Sequence, residues 1–312
     1  MKKVLVSAPY MLRDSEISKV KPLLNELDID YTLADVEERL EEEDLLKIID
    51  QYHGVICGDD RFTRKVYEAA KKLEVVVKWG TGIDSLNEEV AKELGIKLFR
   101  TPGAFTQPVS DTTVAMILSF VRNLGKNDSI IKNGGWDKPQ GYCLSEKTVG
   151  LIGFGDIGRT VSKKLASFNC KIKAFDPIVN EKSIYNELGV EKVSLEEIIT
   201  SCDFISLHCD LNESSHHILD NNAFNSMKQK PYIINTARGP LIEESELIIA
   251  LQNGSVQGAG LDVFEEEPLS LDNPLRKMDQ VILSSHNSNS SPSCWERVHI
   301  NSINMLKEGL AL

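Results

Sequence analysis

The sequence has no stretch approaching the ~20 consecutive apolar residues that cross a bilayer, so no membrane span is expected. It has no basic excess either: 35 Lys and Arg stand against 47 Asp and Glu, a formal net charge of −12. That argues against nucleic acid and anionic membrane surfaces as partners, since both need a basic face. The six cysteines, at positions 57, 143, 170, 202, 209 and 294, form no Cys-x-x-Cys pair. A disulfide framework and a zinc site are therefore not expected, no metal is assigned, and reduced thiols in a cytoplasmic protein fit better. The apolar run in Met1-Lys2-Lys3-Val4-Leu5-Val6 is too short for a signal peptide, and Arg13, Asp14 and Glu16 follow, so it reads as a first strand. Fixed-period repeats and low-complexity linkers are also missing. The acidic run Glu37–Asp44 reads as a solvated helix face.

What is present is an alternation of short apolar runs with longer amphipathic ones. A chain of 312 residues, 41% apolar, suits one or two domains with a large core. The first third offers strands at Val4–Ser7, Gly54–Cys57, Val75–Lys78 and Lys97–Phe99, with helical patterns such as Lys65–Leu73 and Leu86–Leu94 between them. The rhythm restarts at Thr148–Ile152 and continues through Ile172–Phe175, Phe204–Leu207, Tyr232–Asn235, Gly258–Val263 and Val281–Leu283. This is the βαβ pattern of parallel sheets. The expectation is an α/β chain with two doubly wound, Rossmann-like domains and an interdomain cleft. The apolar helix pattern Asp111–Leu124 could bridge them. The last helix pattern, Trp295–Leu310, has no strand after it and must bury its face by returning to the first domain. The expected domains are residues 1–100 plus 287–312, discontinuous and substrate-binding, and residues 101–286, dinucleotide-binding.

The strand Thr148–Ile152 runs directly into Gly153-Phe154-Gly155-Asp156-Ile157-Gly158 and then a helix pattern, Arg159–Phe168. Gly153 permits the tight turn, Gly155 lets a pyrophosphate approach the backbone, and Gly158 allows close helix–strand packing. The helix N-terminus offers free N–H groups and a positive dipole end to the phosphates. The next strand ends at Asp176, whose carboxylate suits ribose hydroxyls and repels a 2′-phosphate. No arginine follows closely, so NAD is expected rather than NADP.

Three later strand ends carry candidate chemistry. Tyr232–Asn235 leads to Thr236-Ala237-Arg238, Gly258–Val263 leads to Glu265-Glu266-Glu267-Pro268, and Val281–Leu283 leads to His286. An arginine in the crevice at the carboxyl end of a parallel strand can grip a carboxylate bidentately. A histidine beside a carboxylate is a held acid/base. An arginine, an acid and a histidine together are what hydride transfer at C2 of a 2-hydroxy acid requires.

With these motifs the chain resembles the D-isomer-specific 2-hydroxyacid dehydrogenases over essentially its whole length, most closely the short phosphoglycerate dehydrogenases that lack a C-terminal regulatory domain. Gly80-Thr81-Gly82-Ile83-Asp84, Thr101-Pro102-Gly103, GFGDIG with Asp176, Asp203–His208, Asn235–Gly239 and Gly260–Pro268 carry the likeness. The resemblance implies Arg238 as the substrate arginine, His286 as the acid/base and Glu267 as its partner, with Glu265 and Glu266 left open by the sequence itself. It implies that Asp156, Ile157, His208, Cys209, Thr236, Ala237 and Asp262 line the cofactor. Gly80, Thr81 and Gly82, with Lys78 before them, would receive the substrate carboxylate. A homodimer is implied, with Asp111–Leu124 and the Gly134-Gly135-Trp136 arm near its interface. The substrate implied is D-3-phosphoglycerate, and with it serine biosynthesis, without serine feedback. Departures from the pattern, Ser285 before the histidine, Asn287–Ser291 after it and Asp59-Asp60 near the loop, keep glyoxylate, hydroxypyruvate or another 2-keto acid as the alternative. A formate dehydrogenase is disfavoured, because that branch places glutamine where Glu267 stands. A dinucleotide-sensing corepressor is the rival from another class, opposed by the intact arginine, acid and histidine.

Overall fold

The computed structural model describes residues 1–312, which divide into two compact units, Met1–Phe105 with Ser290–Leu312, and Thr106–Asn289. Thr101–Phe105 thus group with the first unit and Asn287–Asn289 with the second, a few residues from the expected boundaries.

The first unit is built on five parallel strands, β1 (Lys2–Val6), β2 (Ile29–Leu33), β3 (Gly54–Cys57), β4 (Val75–Lys78) and β5 (Lys97–Phe99), in the order β2-β1-β3-β4-β5. β3 and β4 are buried at every residue, which is why they read as unbroken apolar runs. β2 was not expected; it is an edge strand whose sequence, IDYTL, is mostly polar and half exposed. The acidic run is not one helix face. Helix begins only at Glu42, because the Leu40 N–H donates to Asp60 Oδ1 at 2.8 Å and holds the preceding segment against the sheet edge. The last helix, Pro292–Leu310, buries Trp295, Val298, Ser302, Leu306 and Leu310, one stripe at helical spacing. It lies on β3 and β4 so closely that a Cβ on Gly54 would come within 2.8 Å of Leu306 Cδ1.

The second unit carries seven parallel strands, β6 (Thr148–Ile152), β7 (Lys171–Phe175), β8 (Glu191–Lys192), β9 (Phe204–Leu207), β10 (Tyr232–Asn235), β11 (Gly258–Leu261) and β12 (Val281–Leu283). Their order is β12-β11-β10-β9-β6-β7-β8. The chain winds one way from β6 through β7 to β8 and the other way from β9 to β12, so the switch point lies between β6 and β9, where open α/β sheets bind ligands. The helix Thr106–Val121 starts five residues before the expected Asp111 and belongs to this unit, with Thr113, Met116 and Ile117 buried. Two-residue β8 was too short to read. No helix in the chain is long and apolar enough to cross a membrane.

Leu306 is fully buried. Leu306→Ala should lower the stability of the first unit by about 2–5 kcal/mol, the usual range for a buried Leu-to-Ala change. Urea denaturation followed by circular dichroism checks this; an unchanged midpoint would mean that the terminal helix is not part of the core.

Candidate active site

The glycine loop after β6 lies at the switch point. Gly153 has φ 97, and a Cβ there would come within 2.4 Å of the Cys209 backbone nitrogen, so only glycine lets the loop pass the end of β9. A Cβ on Gly155 would stand in open space, leaving the loop an unfilled cradle. Gly155 precedes the helix Asp156–Ala166, and no side chain caps its first amides, which leaves them available to an anion. Asp156 pairs with Arg159 at 3.1 Å on that helix surface.

Asp176 stands at the end of β7. Its Oδ2 accepts the Phe154 N–H at 2.7 Å, and its Oδ1 accepts the N–H groups of Ile178 and Val179 at 2.8 and 2.9 Å. Burial disfavours its charge, but these three donors outweigh burial and hold its pKa below the ordinary value. An ionised carboxylate there can only accept, as ribose hydroxyls need and a phosphate does not. Beside the loop, burial pushes His208 down to about 3 and the Cys209 thiol up to about 12, so both are neutral. His208 Nε2 lies 2.9 Å from Ser206 Oγ, while Nδ1 is buried without a protein partner. Thr236 is held by a 3.0 Å hydrogen bond between its hydroxyl and that of Thr113, and Ala237 follows it at the end of β10. An open glycine cradle, uncapped helix amides and a charged acceptor at the next strand end fit a dinucleotide.

The candidate catalytic residues follow three adjacent strands of the same sheet, β10, β11 and β12. Asn235 builds the turn that presents Arg238: its Oδ1 accepts the Ala237 N–H at 3.0 Å and its Nδ2 donates to the Arg238 carbonyl at 2.8 Å. Gly239 then passes the end of β11 so closely that a Cβ would lie 1.8 Å from the Phe264 carbonyl oxygen. Glu267 Oε1 accepts the Phe264 N–H at 3.0 Å, and Oε2 lies 2.9 Å from His286 Nδ1. This settles which of the three acids meets the histidine. Glu265 turns away to His217 Nε2 at 2.5 Å, and Glu266 is exposed. With Nδ1 against Glu267, Nε2 is the candidate nitrogen for proton exchange.

The residues that place His286 were not all visible in the sequence. Asp262 is fully buried; its oxygens accept the N–H groups of Asn287 and Ser288 at 2.9 and 3.0 Å, and its carbonyl accepts the His286 N–H at 2.7 Å. Expected to face the cofactor, Asp262 thus directs its carboxylate into the loop that carries the histidine. Asn235 carries no role in the sequence reading beyond its place in Asn235–Gly239; an Asx residue at a strand end two or three positions before a functional group is the signal that points to it.

In the first unit, Gly80 (φ 146) opens the loop after β4, and its carbonyl accepts both the N–H and the hydroxyl of Thr101 at 2.9 Å. The Thr81 hydroxyl donates to the Thr101 carbonyl at 3.1 Å, and Gly82 follows. Lys78, expected to face substrate, is buried, with its ammonium 2.5 Å from both the Gly58 carbonyl and Asp59 Oδ1. Asp60 is fully buried and accepts from the Ser7 hydroxyl and the Leu40 N–H. Neither acid pairs with Arg61, which lies 4.0 Å from Glu41.

Comparison with known proteins matches residues 114–288 to the family model described as D-isomer specific 2-hydroxyacid dehydrogenase, NAD binding domain. The chain is 35% identical over 295 residues to a hydroxypyruvate reductase of Thermotoga maritima, covering 93% of this chain and 94% of that one. It is 37% identical over 262 residues to a D-3-phosphoglycerate dehydrogenase of Methanocaldococcus jannaschii, covering 83% of this chain and 50% of that one. Among solved structures, the NAD-dependent formate dehydrogenase of Staphylococcus aureus in complex with NAD aligns at a TM-score of 0.86 and 26% identity, covering 99% of this chain and 95% of that one.

Asp60 gives this region a pH dependence. Burial, against the hydrogen bonds from Ser7 and Leu40, raises its pKa to about 6. The folded protein then keeps a proton that the unfolded chain releases near pH 4, so stability is highest below that and falls as pH rises to about 6. Two pKa units correspond to about 3 kcal/mol. Asp60→Asn removes this loss. Urea titrations at pH 4 to 7 should show the variant gaining about that much on the wild type across the range; parallel curves would mean that Asp60 titrates normally.

Proposed function

The chain belongs to the D-isomer specific 2-hydroxyacid dehydrogenase family and is an NAD-dependent oxidoreductase, and from that premise we propose that it reduces hydroxypyruvate or glyoxylate at C2. The observation that carries the catalytic part is the 2.9 Å contact between His286 Nδ1 and Glu267, one strand away from Arg238. Bound NAD supplies hydride exchange with C2 of the substrate. The amides following Gly155 hold the pyrophosphate and Asp176 the ribose hydroxyls. Arg238 grips the substrate carboxylate and polarises the C2 oxygen. His286 exchanges the hydroxyl proton through Nε2, while Glu267 fixes the ring and favours the imidazolium. Asp262 serves the same step by shaping the His286 loop. The Gly80–Gly82 amides in the first unit are proposed as further donors to the substrate carboxylate.

The unphosphorylated substrate departs from the phosphoglycerate expectation. It is supported by Lys78, whose ammonium is engaged by Asp59 and the Gly58 carbonyl and so offers no charge to a phosphate. The Thermotoga maritima relative, matched over nearly its full length, is a hydroxypyruvate reductase. A homodimer through the second unit is also proposed, on the strength of Trp136, 79% exposed in its arm.

Two measurements test this reading. NADH oxidation against hydroxypyruvate, glyoxylate, pyruvate, 2-ketoglutarate and 3-phosphohydroxypyruvate should favour one of the first two by kcat/KM. A preference for the phosphorylated acid would overturn the substrate, and tight NADH binding with no turnover on any of them would favour a sensor. Arg238→Ala and Glu267→Gln should each lower kcat/KM by about 100-fold or more, in line with the contribution of positioned charge and acid–base groups. Near-wild-type turnover in either removes that residue from the mechanism.

A further inference from the structure

We infer that His299, on the terminal helix, is a positioning residue for the Gly80–Gly82 loop and acts through the indole of Trp79. The inference rests on the proposed role of that loop in holding the substrate carboxylate.

Trp79 directly precedes Gly80 and is buried. Its ring is surrounded by aromatic neighbours: Tyr10 stacks on it at 4.6 Å, Phe105 lies at 5.3 Å and Trp295 at 6.4 Å. Such contacts fill space and set the ring's orientation only through broad stacking preferences. The directional contact is the hydrogen bond from Trp79 Nε1–H to His299 Nδ1, at 2.8 Å between residues 220 positions apart. An accepting Nδ1 fixes the imidazole as the neutral tautomer with its proton on Nε2. Nε2 lies 3.4 Å from Glu16 Oε2, an electrostatic contact rather than an aligned hydrogen bond. Glu16 is buried and accepts Lys19 Nζ at 3.0 Å on both oxygens. Burial opposes its charge, yet Lys19 and His299 keep its pKa below the ordinary value, so a carboxylate faces the Nε2 proton. Burial in turn pushes His299 down, consistent with the neutral ring that Trp79 needs.

The sequence of contacts is therefore Glu16, His299, Trp79, Gly80. Thr101 holds the carbonyl of Gly80, while His299 holds the side chain of the residue directly before it. A carboxylate orienting a histidine that orients a functional group is the arrangement found behind metal ligands and catalytic bases. Here its object is the backbone of the Gly80–Gly82 loop.

His299→Leu removes the acceptor while keeping an apolar body. Trp79→Phe removes the donor while keeping a ring. His299→Asn places a carboxamide oxygen near the position of Nδ1. Gly80→Ala alters the loop directly. Variants that keep the wild-type melting temperature and NADH affinity are assayed with hydroxypyruvate. His299→Leu and Trp79→Phe should each raise KM about tenfold, roughly the worth of one hydrogen bond, with kcat within about twofold. The double variant should be no worse than either single one, and His299→Asn should restore KM to near wild type. If His299→Leu does not fold, Trp79→Phe and His299→Asn carry the test. An unchanged KM in Trp79→Phe, or equal defects in the Leu and Asn variants, overturns the inference. Gly80→Ala separates the two layers: if it raises KM while Trp79→Phe does not, the loop holds substrate without this relay. If it leaves KM unchanged, the reading of the loop itself fails.

Discussion

A buried carboxylate at the end of β11 decides where His286, the proposed acid/base, stands. Asp262 takes the amides of Asn287 and Ser288 on its two oxygens and the His286 amide on its carbonyl. His286 itself has φ 49, a left-handed conformation that disfavours a residue with a Cβ by about 1–2 kcal/mol. Such strain persists only where the surroundings over-determine it, and three amides tied to one residue do so. With the backbone fixed this way the imidazole lies 2.9 Å from Glu267. Glu267 is fixed in turn by the Phe264 amide, beside the strand end that Gly239 passes without room for a side chain. The arrangement depends on small backbone distances between neighbouring strand ends, which parallel pairing supplies.

That dependence explains what could be read in the sequence. Strands buried on both faces, such as β3, β4 and β9, announce themselves as apolar runs, and a glycine loop between a strand and a helix has few other uses. Arg238, Glu267 and His286 were recognisable as candidates because each follows a short apolar run, although β12 before His286 is only partly buried. The edge strand β2 was not, since half its residues face water, and two-residue β8 has no period to detect. Orientation was the other blind spot. Nothing in Glu265-Glu266-Glu267 says which acid turns inward, and nothing around Lys78 says that its ammonium turns back onto the loop after β3. Both are consequences of tertiary hydrogen bonding. Trp79 and His299, far apart in sequence, are the extreme case.

The second unit separates charge from neutrality at its cofactor loop. Asp176 is held ionised by three backbone donors, whereas His208 and Cys209, a strand away, are held neutral by burial. A cation at His208 would pull on a pyrophosphate and compete with the helix amides for its place. A neutral ring leaves the amides, the helix dipole and Arg159, whose Nε donates to the Gly155 carbonyl at 3.2 Å, as the positive elements of the loop. In the proposed binding mode a strongly acidic chain would meet the phosphates of a dinucleotide with these groups and the ribose with one carboxylate.

The same economy of charge bears on the substrate. Asp59 and Asp60 looked incompatible with an anion near the Gly80 loop, yet neither acts as a free negative charge. Asp60 is buried with hydrogen-bond donors at both oxygens, and Asp59 lies against the Lys78 ammonium. The pairing works both ways: the lysine cancels the acid, and the acid cancels the lysine. What the loop itself offers a carboxylate is backbone amide, with the Arg100 guanidinium donating to the Thr81 carbonyl at 3.4 Å beside it. Backbone amides accept anions of either kind, so the difference at this loop lies in Lys78, whose charge is already matched by Asp59. That matched pair is what this edge contributes to the proposal of a small keto acid without a phosphate.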